Sequence, residues 1–151
     1  MKPEPYQFYI NILGHLQDMS QSLAYISKIS YKHINNNHKN LKTSQVNELR
    51  EIDDKLEAFF SNTEKAFKSE SFEEIGVILN DKKAIFDLLN EKIAKQIERT
   101  RSEESSPKNT TLYFGLLIET KDLLNATMNL LEEYHSSFDG SIEPATISPS
   151  K

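Results

Sequence analysis

The feature that most constrains this chain is a run of apolar residues at alternating three- and four-residue steps near its C-terminal end. In LYFGLLIETKDLLNATMNLLEEY, the residues Tyr113, Leu116, Leu117, Thr120, Leu123, Leu124, Thr127, Leu130, Leu131 and Tyr134 share one helical face. A stripe this long has to be covered by other elements. Gly115 interrupts it at a cost of about 1 kcal/mol relative to Ala, and either close approach by a neighbouring helix or chance would account for it.

Three earlier stretches supply the cover. Between residues 5 and 31, Tyr9, Ile12, Leu13, Leu16, Met19, Leu23, Ile26 and Ile29 follow the same steps. Between 44 and 68 the stripe is Val46, Leu49, Ile52, Leu56, Phe59, Phe60 and Phe67, with Thr43 or Ser44 as the N-cap. A third helix is expected over 72–101, opened by a capping box of Ser71 and Glu74 and carried by Ile75, Ile78, Ile85, Leu88, Leu89, Ile93 and Ile97. The fourth spans 110–136, after the breaker cluster SEESSPKN, in which Pro107 bars continuation of the third. The short link KSES makes helices two and three antiparallel neighbours.

Four stripes of similar length bury one another most simply as an all-α, antiparallel up-down four-helix bundle over residues 1–136, with charged outer faces. Four Gly and five Pro in 151 residues suit long helices. Residues 137–151, rich in Ser and Pro, read as a disordered tail. A net charge of −5 argues against nucleic acid as a partner, and the lack of cysteine excludes disulfides, thiolate zinc sites and thiol catalysis. The N-terminal segment has no apolar core of signal-peptide type, and no stretch is apolar enough to span or insert into a membrane.

Few residues suggest chemistry. In YKHINNNHKNL, His33 and His38 flank three asparagines. They could be two ligands of a metal site, but zinc needs three or four. Asparagine tolerates the left-handed backbone found at helix C-termini, so the stretch reads first as the end of helix one, with His33 placed against the helix dipole. A di-iron site needs two Glu-x-x-His motifs, and only Glu132/His135 occurs. His15 borders the first stripe and reads as a boundary residue. Phosphate loops, nucleophile elbows and His-Glu-x-x-His are absent, so an enzyme is not expected and no cofactor is implied.

YINILGHLQDMSQSLAYISKISYKHINNNHKNL and LYFGLLIETKDLLNATMNLLEEY together resemble the PhoU-like cytosolic domain of bacterial sodium/phosphate cotransporters. The likeness runs over most of residues 6–135. It is most specific in HLQDMSQSLAYI and in the HINNNH loop with the helix start Gln45–Glu48. The resemblance implies a non-catalytic regulatory domain on the inner face of the cell membrane that modulates or couples phosphate uptake. Its partners would be the transmembrane portion of its own transporter, itself, or a phosphate-signalling protein.

PhoU-type domains often hold metal through Glu-x-x-x-Asp. Here those positions fall on Gln17 and Gln21, neutral amides suited instead to hydrogen bonds between helices. The fourth helix offers Glu119 and Asp122, three apart rather than four. The alternative readings are a metal- or small-ligand-binding bundle using Glu119, Asp122 and a histidine, and a free-standing helical adaptor.

Overall fold

The computed structural model describes residues 4–137. It is all-helical: α1 (Pro5–Asn35), α2 (Thr43–Lys68), a 3-10 turn (Phe72–Glu74), α3 (Ile75–Asn80), α4 (Lys82–Arg101) and α5 (Pro107–Ser137). No helix among the described residues is long and apolar enough to cross a membrane. Most of the expected tail, 138–151, lies outside the described residues.

α5 is the spine. Tyr113, Leu117, Leu124, Met128 and Leu131 are fully enclosed, and Leu123, Ala126 and Leu130 extend the buried arc around the helix. That arc is wide enough to take α1 on one side and α3 and α4 on another, while α2 packs on α3 and α4. Gly115 lies where α1 crosses: a Cβ there would stand 2.9 Å from Ile29 Cδ1. The opposite end is closed by aromatics. Tyr134 on α5 meets Phe67 of α2 edge-on at 4.9 Å and Phe8 of α1 at 5.2 Å, and stacks with Phe72 at 5.8 Å.

The helix ends differ from the sequence expectation in instructive ways. α1 runs four residues past Tyr31 and stops as the asparagines dictate: Asn37 takes a left-handed φ of 52°, and the amides of Asn37 and His38 bond back to Ile34 and His33. This is a Schellman closure, and α2 and α4 end the same way with Glu70 and Glu103 in the left-handed position. Lys42, not Thr43 or Ser44, is the N-cap of α2, and its amide bonds to the Gln45 side chain at 2.9 Å. Ser71 and Glu74 form no side-chain cap. The Ser71 hydroxyl pairs with Ser69 instead, and Glu74 ends the 3-10 turn. α5 begins at Pro107, because proline is well suited to the first helical position and Ser106 Oγ accepts the Asn109 amide at 3.2 Å.

Two expectations need correction. The third helix is not continuous. It breaks at Asp81, whose amide reaches back only three residues to Ile78, and Asn80-Asp81 is a poor helical pair. Its buried seam also departs from the expected stripe, for it runs Ile85, Leu89, Lys92, Gln96, while Ile97 is exposed. The outer faces are not all charged either. On α1 only Ile12 of the expected stripe is buried and Met19, Ile26 and Ile29 are half-buried, while Tyr9, Leu13, Leu16 and Leu23 face solvent. The three- and four-residue steps of that helix merge two adjacent stripes, and α5 covers one of them.

Non-glycine residues in the left-handed region carry about 1–2 kcal/mol of strain, part of which glycine returns as extra freedom of the unfolded chain. Glu70→Gly and Glu103→Gly are each expected to stabilise the fold by about 0.5–1 kcal/mol. The check is a higher urea midpoint at unchanged m-value.

Candidate functional site

Three places gather polar side chains. The first is a groove of about 460 Å³ between α1 and α5, lined by Asp18, Gln21, Tyr25, Glu119, Asp122 and Asn129 among others. The structure therefore brings Glu119 and Asp122 to one groove with Gln21. Gln17 does not line it. Both glutamines are exposed, contrary to the expectation of buried interhelical amides. Among the described residues, no three of His, Asp and Glu stand close enough to share a metal ion.

The second place is the histidine loop. His33 and His38 do meet, with ring centroids 5.1 Å apart and planes tilted by 51°. His33 Nε2 lies 2.9 Å from the Lys39 carbonyl, which can only accept, so this nitrogen carries the proton and straps the loop to the end of α1. With Lys32, Lys108 and the wall of α5 around Gly115, the two rings border a 280 Å³ pocket. Asn109 Nδ2 of α5 donates to the Asn40 carbonyl at 2.9 Å, tying the same loop to the spine. His15 stands apart on α1, 3.6 Å from Glu133, whose carboxylate also accepts from Asn11 at 3.0 Å. His135 lies against Gly76 on α3, 3.0 Å from where a Cβ would be, and Glu132 pairs with Lys82 at 3.2 Å, so these two serve α3 and α4 contacts.

The third place is where α2 begins, α4 ends and α5 begins. Glu48 Oε1 accepts from Arg99 Nη2 at 2.6 Å, and its other oxygen accepts the Tyr113 hydroxyl. Arg99 lies over the Tyr113 ring, 5.7 Å from its centroid, and also donates to Gln96 Oε1. Gln96 Oε1 accepts again from Gln45 at 3.0 Å, and its amide donates to Ser105 Oγ at 3.3 Å in the α4–α5 loop. Gln45 and Gln96 are fully enclosed, and the Glu48 and Arg99 side chains are each only 10% exposed. One turn further into α4, the buried Lys92 amine lies 2.6 Å from Glu51 and 3.5 Å from Glu91. Burial works to lower its pKa, but the two carboxylates outweigh that and raise it. Tyr113 is pushed well above the ordinary phenol range, first by burial and then by the Glu48 carboxylate.

Residue-type reasoning missed this network, although the signal was present. Gln45 and Glu48 continue the stripe of Ile52, Leu56 and Phe59 backwards at helical steps, and Lys92, Gln96 and Arg99 continue Ile85 and Leu89 forwards at steps of three and four. Polar residues at seam positions look like surface residues until their partners are known. Comparison with protein families, curated proteins and solved structures returned no match.

Removing one member of a buried ion pair leaves the other charge without compensation. Glu48→Ala is expected to lose about 3 kcal/mol of unfolding free energy, and Tyr113→Phe about 2 kcal/mol, the net worth of one hydrogen bond to a charged group. A folded-state pKa above the unfolded value gives stability that is complete below pH 10 and declines as pH rises beyond it. The unfolding free energy should therefore fall at alkaline pH, and Tyr113→Phe should flatten that fall in denaturant titrations.

Proposed function

We propose that this chain is a non-catalytic, PhoU-like regulatory domain of a sodium-dependent phosphate transporter, an up-and-down antiparallel four-helix bundle at the cytoplasmic face of the membrane. The carrying observation is that one of the two stretches in which the resemblance is most specific, the HINNNH loop with the helix start after it, is tied into the fold at several points. The HINNNH loop is closed by Asn37, strapped by His33 and tied to α5 through Asn109, and the helix start after it roots the Glu48 network. A regulatory domain needs such a rigid end to transmit contact made at its surface.

The antiparallel course is supported by partners along α1 and α5. Asn11 meets Glu133, Ile29 meets the Gly115 position, and the pocket at the end of α1 is shared with Lys108. The non-catalytic reading is supported by the way the buried charges satisfy one another: Glu48 accepts from both Arg99 and Tyr113, so the three are spent on each other. The partner in this reading is the transmembrane portion of the transporter.

Deleting this domain from the transporter and measuring sodium-driven phosphate uptake over a range of external phosphate tests the reading. The expected result is uptake that no longer adjusts to phosphate level. Unchanged uptake and unchanged adjustment would overturn it.

A further inference from the structure

α1 carries two apolar faces, and only one is used. The covered face runs through Phe8, Ile12, Met19, Ser22 and Ile26 toward α5. About 120° away, on the outside, Tyr6, Tyr9, Leu13, Leu16, Ser20, Leu23, Ser27, Tyr31 and Ile34 follow one another at steps of three and four, the spacing of a coiled-coil seam. No Asp, Glu, Lys or Arg falls on that outer seam along the whole helix. α1 has three such charges in its 31 residues, whereas α2 has ten in 26. The large apolar residues of the seam are 47–73% exposed. With Ile10 at its edge, the face offers on the order of 1,000 Å² of surface, more than the largest apolar patch of a typical monomer and comparable to the ~800 Å² that each partner gives to a stable interface.

We infer that this face pairs with the same face of a second copy, α1 against α1, in a two-fold antiparallel contact. The seam suits that register. Its small residues, Ser20 and Ser27, lie in the middle, and bulky residues stand at both ends. With Ser20 on the axis, Leu13 faces Ser27, and Leu16 faces Ala24 at the edge of the seam, while at the ends Tyr6 meets Ile34 and Tyr9 meets Tyr31. The middle pairs set large against small, as packed interiors require, and the end pairs set ring and aliphatic area against each other. A parallel in-register pair would set Ser20 on Ser20 and Ser27 on Ser27, leaving the middle layers underfilled. A face free of charge offers nothing to a charged partner, and two-fold pairing covers both copies at once. The inference rests on α1 alone and does not depend on the transporter reading.

Sedimentation of the full chain at about 100 µM, above the weak end of the range for interfaces of this size, tests it. The expected mass is twice 17.4 kDa. Leu13→Glu and Leu16→Glu, both at exposed positions, should keep the helical circular dichroism and melting profile but weaken dimerisation at least ~100-fold, since each buries a charge in the seam. The chain has no cysteine, so single cysteines report the register under oxidation. Ser20→Cys should cross-link across the axis and Ser27→Cys should not. A monomer, a dimer indifferent to Leu13→Glu and Leu16→Glu, or efficient Ser27→Cys cross-linking would overturn the proposal. So would a monomer that instead sediments with phosphatidylglycerol–phosphatidylcholine vesicles, which would assign the face to a lipid surface.

Discussion

Glu48 places a carboxylate where three helix ends converge, and much of the surrounding structure follows from keeping it satisfied. Arg99 arrives from the last turn of α4, Tyr113 from the second turn of α5, and Gln45 and Gln96 close the remaining sides. A buried ion pair adds little net stability over an apolar contact of the same shape, but it tolerates no change of register, because any slip leaves a charge without its partner. That intolerance accounts for the placement of this end. The loop after α4 returns so that Ser105 can accept from Gln96, and α5 is capped within a residue of it by Ser106. The opposite end is held differently, by aromatic rings around Tyr134, which tolerate small shifts in return for area.

The spine between these ends was the most legible part of the sequence. α5 keeps its apolar spacing for over twenty residues, so its burial could be read directly, and so could the left-handed asparagine that ends α1, whereas Gly115 marks a crossing only once Ile29 is seen against it. Other elements were harder to read for identifiable reasons. The break at Asp81 depends on one weak pair of residues within an otherwise helical pattern. The seam of α4 passes through Lys92, Gln96 and Arg99. A lysine's aliphatic stem lies comfortably in a core when its amine can reach a carboxylate, and no periodicity rule distinguishes it from a surface lysine.

α1 shows the same ambiguity in reverse. Its eight residues at three- and four-residue steps form one stripe in the sequence, yet a helix resting chiefly on one neighbour can bury only one side. Its second seam is legible as apolar but not as unpartnered until the packing of α5 is known. The candidate groove divides similarly. Glu119 and Asp122 were identified from α5 alone and do share a surface with Asp18 and Gln21, but proximity in a groove of 460 Å³ is not convergence on a point. The buried ion pair and its hydrogen bonds lie instead at the α2–α4–α5 junction.

The central claim, that one buried charge pair fixes the junction of three helices, is tested most directly by a double-mutant cycle on Glu48→Gln and Arg99→Met in urea unfolding. Strong mutual dependence predicts a coupling energy of about 1.5 kcal/mol or more between the two sites. Additivity within about 0.3 kcal/mol would mean that the two residues act independently, and would contradict the account.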